Sequence, residues 1–239
     1  MISRCTNLSS STANLSLLSC AIKAGVKRFV PSDYSFDVTH PAAIEQAVPG
    51  SLMAGRTATI ERIFSAASQG DITYTLFVPA GWLDWGLDNG FLGFDIKARK
   101  ARLVDQGAHK ATACTQPFIA QSVINMLKQP PSETENKKIP IAEVEYTGAE
   151  LLKLFEEETG AKWEVTNITL PELLETAEKA KVANDIRLRV VSITHFINFG
   201  GFGATYFPDA LSSSLEGTPY QRKSLKQIVR DAVQRMESS

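Results

Sequence analysis

Residues 21–37, AIKAGVKRFVPSDYSFD, are the stretch of this 239-residue chain that decides its fold. They read as the end of a helix, a glycine stop at Gly25, a short apolar strand that ends at Pro31, and a loop rich in hydroxyl and carboxylate groups. Glycine can adopt the left-handed conformation that ends a helix, and proline has no N–H group to offer a neighbouring strand. The polar residues 32–35 therefore follow the carboxyl end of a strand, where open α/β sheets bind their ligands.

Helix and strand patterns alternate around this stretch. Apolar residues at helical spacing predict one helix from about residue 10 to residue 24 and a second from about residue 51 to residue 68. Residues 27–31 contain the apolar pair Phe29–Val30, residues 71–79 read DITYTLFVP, and both stretches end at a proline, which predicts buried strands. Helices that alternate with buried strands are typical of a parallel, doubly wound sheet. The predicted fold class is therefore α/β.

The rest of the chain divides at its most loop-like stretch, residues 129–138, QPPSETENKK. We predict two interleaved domains, residues 1–130 and residues 131–239. Residues 80–101 are rich in glycine and aromatic side chains without a clear period, which is typical of a segment that covers a cleft.

Further elements are predicted from caps and apolar runs. Strands are predicted at residues 101–105, 139–145 and 162–168, the last with the alternation of a half-buried strand. Helix N-caps are predicted at Thr115, Thr147, Thr169 and Ser224, the last three as capping boxes with Glu150, Glu172 and Gln227. The glycine cluster at residues 200–203 is predicted to be a loop or a helix stop.

Composition and charge exclude several classes of protein. The net charge of −1 gives no reason to expect nucleic acid or an anionic membrane as a partner. No run approaches the roughly 18–20 consecutive apolar residues of a membrane helix, and the N-terminus lacks a secretory signal pattern, so we expect a cytoplasmic protein. The three cysteines form no CxxC pair, which indicates reduced thiols. The three histidines lack metal-ligand spacing, so no metal site is predicted.

Several stretches together resemble one known family. They are AIKAGVKRFVPSDYSFD, ITYTLFVPAGWLDWGL, KARKARLVDQG and EYTGAELLKLFEEETGAKWEVTNIT. In order and spacing they resemble the NmrA-like, isoflavone reductase-like branch of the atypical short-chain dehydrogenases, and most closely its fungal members. The resemblance implies a Rossmann domain that binds NADPH, joined to a smaller C-terminal α/β substrate domain. It also implies hydride transfer from NADPH to a small aromatic or conjugated substrate.

The same resemblance implies site residues. Ser32 and Asp33 match the family's Ser-Glu/Asp pair near the nicotinamide end of the cleft, and Pro31, Ser32 and Asp33 are the expected cofactor contacts. Turn or capping roles would also explain them. The substrate pocket is expected at Tyr34, a candidate phenol donor, and at Trp82 and Trp85, for which simple packing is the alternative.

Arg56 stands at the position of the family's catalytic lysine. An arginine stays protonated, so it can hold an anionic or phenolic oxygen but is a poor proton shuttle. The alternative is that Arg56 is an ordinary solvated helix residue.

The sequence departs from the family in its cofactor loop. Nothing in the chain matches the glycine-rich GxxGxxG that lets a backbone approach the pyrophosphate. The resemblance places residues 1–5 near the family's fourth strand, so the sheet is expected to be partial and to lack strands one to three. We therefore expect weak NADPH binding or none, and self-association through an exposed sheet edge at residues 2–5 or 27–31. The alternatives are a non-catalytic module that senses dinucleotide and contacts protein partners, and an inactive truncated paralogue.

Overall fold

The computed structural model describes residues 10–46, 53–211 and 220–238. In these ranges the helices are α1 (Ser10–Lys23), α2 (Pro41–Glu45), α3 (Ala54–Ser68), α4 (Leu83–Asp88), α5 (Gln116–Lys128), α6 (Pro131–Thr134), α7 (Gly148–Thr159), α8 (Leu170–Val182), α9 (Ile186–Phe199) and α10 (Leu225–Glu237). The strands are β1 (Arg28–Phe29), β2 (Thr73–Val78), β3 (Gly81–Trp82), β4 (Phe94–Asp95), β5 (Lys100–Val104), β6 (Lys110–Cys114), β7 (Lys137–Pro140), β8 (Val144–Thr147) and β9 (Glu164–Ile168). Short 3-10 turns span Asp105–Gly107 and Pro208–Leu211. The predicted α/β fold class is confirmed.

The first sheet is parallel, with the strand order β1–β2–β7. Alternate side chains of β2 enter two different apolar cores. Leu76 packs with α1 and α3, where Ile60 and Ile63 are buried, whereas Phe77 packs with Phe118 of α5. Helices therefore cover both faces of the sheet, which explains why the last four residues of β2 are all buried.

Two further three-stranded sheets have the orders β3–β6–β8 and β4–β5–β9. Each combines one parallel and one antiparallel pair of strands. These strands share one apolar core with α4, α7 and α10, in which Phe94 lies against Phe155 and Trp163. Helix α9 packs against β5 and β6 and against α8. The two mixed sheets therefore have an apolar core of their own.

Residues 129–138 are more regular than their composition predicts. They contain α6 and the start of β7, whose residues pair with β2 from Thr75↔Lys137 to Val78↔Pro140. The predicted loop is wrong there, because pairing with a buried neighbouring strand outweighs the weak strand propensity of lysine and proline. The single strand predicted at residues 139–145 is also wrong, since two strands, β7 and β8, are joined at residues 141–143. The division into domains 1–130 and 131–239 stays a prediction.

The predicted helix caps agree with the structure with one exception. Thr147 and Thr169 each form a complete capping box with the glutamate three residues later. Ser224 caps α10 by accepting a hydrogen bond from the N–H of Gln227 at 3.2 Å. The third box is wrong, because the Gln227 side chain donates instead to Asp231 at 2.7 Å. The glycine cluster does end a helix, since Gly200 is the C-cap of α9.

Two strands differ from their predictions. β1 has only two residues and is an edge of its sheet among the described residues. β9 is an edge strand whose first four side chains are exposed, so the predicted half-buried alternation is wrong. The edge predicted at residues 2–5 lies outside the described residues, as does the predicted start of the second helix at residues 51–52.

The described ranges contain no helix that is both long enough and apolar enough to cross a bilayer. Across the same ranges, no three histidine, cysteine or acidic side chains converge as metal ligands. Cys20 is an exposed free thiol and Cys114 a buried one, while Cys5 lies outside the described residues.

Candidate functional site

The candidate site is the crevice beyond the carboxyl ends of β1 and β2. Residues 30–37 follow β1, and residues 79–82 lead from β2 into β3. Helix α3 approaches the same place with its first turn. Lys138 of β7 holds the loop after β1 from the other side, through a 2.5 Å ion pair with Asp37. Loops at this edge of a parallel sheet are the usual ligand-binding position.

Arg56 is clamped by the loop after β1. Its guanidinium forms two hydrogen bonds with the Asp33 carboxylate, from Nε to Oδ2 at 3.1 Å and from Nη2 to Oδ1. Nη2 also donates to the Ser35 hydroxyl at 2.5 Å, and the guanidinium carbon lies 4.6 Å from the centre of the Phe36 ring. The fork-to-fork geometry is the strong form of an arginine–carboxylate pair.

This pair is partly withdrawn from water. The exposed fraction of the side chain is 22% for Arg56 and 9% for Asp33. Asp33 therefore largely neutralises Arg56, and the pair fixes the loop after β1 against α3. The interpretation of Arg56 as a solvated helix residue does not agree with these contacts. Its assignment to the family's lysine role stays a prediction.

Tyr34 and Trp82 meet on the other side of the loop. Trp82 Nε1 donates to the Tyr34 carbonyl oxygen at 2.8 Å, and the Tyr34 ring stacks on Phe77 with the centroids 6.1 Å apart. Burial raises the pKa of Tyr34 above its usual value. Tyr34 therefore presents a neutral phenol at physiological pH.

The other predicted site residues are less closely involved. Pro31 is buried, and the Ser32 side chain is exposed. Trp85 is 40% exposed and packs on Phe91, with ring centroids 5.3 Å apart, rather than on the Tyr34–Trp82 pair. The structure therefore brings together Asp33, Tyr34, Arg56 and Trp82 of the predicted set. It leaves Trp85 apart from them.

A buried glutamate that the sequence analysis missed lies beside this crevice. Glu143 follows β7 and is 5% exposed. It accepts hydrogen bonds from the Thr115 N–H at 2.8 Å, the Thr115 hydroxyl at 2.6 Å, the Tyr220 hydroxyl at 2.7 Å and the Lys223 N–H at 3.2 Å.

Tyr220 shares one apolar cluster with Tyr34 and Trp82. Glu143 thus holds the segment before α10 against the crevice. A single acidic residue within the apolar run IPIAEV was the only sequence signal for it.

Two glycines of the described residues lie where a strand meets a helix, the position of a phosphate cradle. Gly81 is the first residue of β3, which leads into α4, and a Cβ there would meet only ordinary contacts at 3.7 Å. Gly148 is the first residue of α7, which follows β8, but its space is taken by Gly107, whose Cα would be 3.1 Å from such a Cβ. Neither position offers the run of close-approach glycines that a pyrophosphate requires. The described residues therefore do not fit the diphosphate part of a dinucleotide.

Comparison with known proteins identifies relatives of this chain. A model of the NmrA-like family matches residues 12–214. The oxidoreductase poxI of Penicillium oxalicum is 30% identical over 169 residues, which are 70% of this chain and 52% of that protein. The oxidoreductase aprR of Aspergillus flavus is 28% identical over 156 residues, or 65% of this chain and 51% of that protein. The chain thus spans about half the length of the curated relatives it matches.

Solved structures share the fold. Leucoanthocyanidin reductase from Vitis vinifera, in a binary complex with NADPH, has a TM-score of 0.72 at 15% identity, covering 95% of this chain and 76% of that one. The structure of an isoflavone reductase has a TM-score of 0.69 at 19% identity, covering 94% of this chain and 71% of that one. The structure of AtPrR2 with NADP+ and (+)pinoresinol has a TM-score of 0.70 at 19% identity, covering 96% of this chain and 71% of that one. The family match covers most of the chain, and the fold agrees with it. The chain belongs to the NmrA-like family.

Proposed function

We propose that this chain is an NADP(H)-dependent oxidoreductase-like protein that acts on a small aromatic or conjugated substrate. The observation that carries the proposal is the convergence of Arg56, Tyr34 and Trp82 at the carboxyl ends of β1 and β2. Both curated relatives described above are named oxidoreductases, which supports this function over a regulatory module. The neighbours that were solved with NADPH or NADP+ support the choice of cofactor.

Substrate binding is assigned to the aromatic side of the crevice. The Tyr34 and Trp82 rings offer apolar surface for a planar substrate, and the Tyr34 phenol, kept neutral by burial, can donate or accept a hydrogen bond. Trp85 remains in the proposed pocket as an outer wall, since it is exposed.

Arg56 is assigned to orientation and charge. Its bonds to Asp33 and Ser35 leave Nη1 as the guanidinium nitrogen with the weakest contact among the described residues, 4.0 Å from Met53 Sδ. Nη1 can therefore hold a phenolic or carbonyl oxygen of the substrate. An arginine stays protonated, so we assign no proton transfer to it.

Cofactor contacts are assigned to the loop after β1. Pro31, Ser32 and Asp33 can contact the nicotinamide end of a dinucleotide, where NADPH would supply a hydride. The described residues do not fit the diphosphate, so we expect this chain to bind NADPH weakly, and we derive no hydride-transfer step. A cytoplasmic location also stays a prediction.

The proposal is tested by thermal-shift titration of the full chain with NADPH, with NADH and with a planar conjugated enone. A ligand at about 100 times its dissociation constant adds about 2.7 kcal/mol to the free energy of unfolding, so even weak binding is measurable at millimolar concentration. We expect a saturable rise in Tm with NADPH and with the enone. The matched variants are Arg56→Lys and Arg62→Lys, both on α3, and only Arg56→Lys should weaken the enone response. No response to either dinucleotide and none to the enone would contradict the proposal.

A further inference from the structure

A second cavity lies away from the crevice. It is a groove of about 750 Å³ between the end of α4, the β4–β5 hairpin and β9. Small-molecule sites typically have volumes of about 300–1,000 Å³, so the groove is large enough for a ligand. Its apolar lining includes Leu87, Phe94, Ile96 and Met236. None of the residues assigned to the crevice lines it.

Arg102 is the distinctive polar residue of this groove. It lies on β5 between Ala101 and Leu103, which are both buried in the core beside α7. Because side chains alternate along a strand, Arg102 points to the opposite face of the sheet. Its Nε atom is fully buried, and no described residue accepts a hydrogen bond from it. Buried polar groups in proteins are hydrogen-bonded in roughly nine cases out of ten, so an orphaned donor needs an explanation.

The acidic residues that line the groove are already engaged. Asp88 pairs with Arg235 at 2.7 Å, Glu164 pairs with Lys100 at 2.9 Å, and Asp95 accepts a hydrogen bond from the Ala98 N–H at 2.9 Å. Within the described ranges, no carboxylate forms an ion pair with Arg102. Arg102 is therefore a cation of the groove lining without an ion-pair partner among the described residues.

His195, near the groove, adds no charge to it. It lies near Gly93, next to β5, and burial lowers its pKa to about 4. The imidazole is therefore neutral at physiological pH. It neither repels an anion strongly nor replaces one.

We propose that this groove binds a small organic acid whose carboxylate pairs with Arg102 and whose apolar body lies on Met236. A carboxylate matches the planar fork of an arginine and would pair with the terminal Nη atoms of Arg102, because Nε is closed to solvent. The apolar lining favours an organic acid over a free inorganic anion. This site is separate from the crevice and does not depend on the proposed oxidoreductase function.

The stability of the unliganded protein gives an independent readout. A half-buried charge without a partner is unfavourable, so replacing Arg102 with an apolar side chain of similar length removes a cost. We expect Arg102→Met to keep or raise the Tm of the unliganded chain. A structural arginine would behave in the opposite way, because its loss would lower the Tm. A clear fall in Tm would therefore overturn the proposal.

Binding is tested by calorimetric titration of the full chain with 3-phenylpropionate and with octanoate, and with the neutral amide of each. We expect saturable binding of at least one acid, and its amide should bind at least about tenfold more weakly, since the charge-assisted pair is lost. Arg102→Met should weaken acid binding by a similar factor. Lys128→Met, a matched change at an exposed lysine of α5 that does not line the groove, should alter it by less than about threefold.

Three results would overturn the proposal. They are no saturable binding of either acid, equal binding of acid and amide, and unchanged acid binding by folded Arg102→Met. Arg102→Lys serves as a second variant that keeps the charge but loses the fork. It should bind the acid with an affinity between those of the unchanged chain and Arg102→Met.

Discussion

The ion pair between Arg56 and Asp33 ties α3 to the loop that forms the crevice. Removing Arg56 as Arg56→Ala would leave the Asp33 carboxylate, which is 9% exposed, without its counter-charge. Breaking a fully buried pair costs about 3–5 kcal/mol, and the 22% exposure of Arg56 lets water replace part of the loss. We therefore expect the free energy of unfolding to fall by about 2 kcal/mol, measured by urea denaturation.

The control for this change is Arg62→Ala on the same helix. Arg62 is exposed, so its loss should change stability by less than about 0.5 kcal/mol. A double-mutant cycle of Arg56→Ala with Asp33→Asn should give a coupling energy of about 1 kcal/mol or more. Equal effects of the two arginine variants, or no coupling, would mean that the clamp does not exist in solution.

Tyr220 makes a second residue-scale contact that can be tested. Its hydroxyl lies 2.7 Å from Glu143 Oε1 and 3.1 Å from Thr115 Oγ1. Tyr220→Phe should therefore lower the free energy of unfolding by about 1–2 kcal/mol, because the buried carboxylate loses a donor. Tyr206→Phe removes a similar bond to the partly exposed Glu145 and should cost less than about 0.5 kcal/mol. Chemical denaturation of both variants decides, and equal losses would contradict the role given to Glu143.

His195 predicts the dependence of stability on pH. Burial lowers its pKa from 6.5 to about 4, so the unfolded chain binds a proton at a pH where the folded chain does not. With respect to His195, the folded chain therefore has its full free energy of unfolding above pH 6.5 and loses part of it as the pH falls toward the folded pKa. The slope of this loss approaches about 1.4 kcal/mol per pH unit.

The test compares the unchanged chain with His195→Gln in urea unfolding at about pH 7, 6 and 5. The unchanged chain should lose stability more steeply on acidification, because glutamine does not titrate. Parallel losses in the two proteins would show that His195 is not buried in its neutral form.

At the scale of elements, the capping box of α7 is a local device with a measurable effect. Thr147 accepts a hydrogen bond from the Glu150 N–H at 3.1 Å, and the Glu150 carboxylate accepts one from the Thr147 N–H at 2.8 Å. Thr147→Ala should lower the free energy of unfolding by about 1 kcal/mol, whereas Thr147→Ser keeps an oxygen at the cap and should recover most of it. Thermal denaturation compares them, and a serine variant as unstable as the alanine variant would count against the cap.

The helices and strands differ in how well the sequence predicts them. Capping boxes, glycine stops and buried runs are local patterns, so α1, β2, α7 and α10 were predicted close to their observed positions. The start of β7 was missed because its strand character comes from pairing with β2, about 60 residues earlier in the chain. Local patterns do not report such a partner.

In the candidate site, too, some features could be predicted from the sequence and others depend on contacts between distant residues. The resemblance to the family supplied Asp33, Tyr34, Arg56 and Trp82 as candidates. It could not show that Arg56 is clamped, because the pair joins residues 23 positions apart through the folded loop. Glu143 was missed because its partner Tyr220 lies 77 positions away and no spacing rule links them.

At the scale of the whole molecule, the edge of the parallel sheet predicts self-association. β1 pairs with β2 on one side only among the described residues. An unpaired edge offers backbone donors and acceptors to another chain. We expect the weight-average mass from light scattering to rise with protein concentration. A constant monomer mass over the full concentration range would contradict this expectation.

We propose that the crevice beyond β1 and β2 is the ligand site of this NmrA-like chain. Hydrogen–deuterium exchange of the full chain, with and without millimolar NADPH, tests it most directly, because it reports where the dinucleotide binds without requiring turnover. We predict slower exchange in peptides that cover residues 30–36 and 79–86, and unchanged exchange in residues 87–102. Unchanged exchange at residues 30–36 and 79–86, or protection confined to residues 87–102, would contradict the claim.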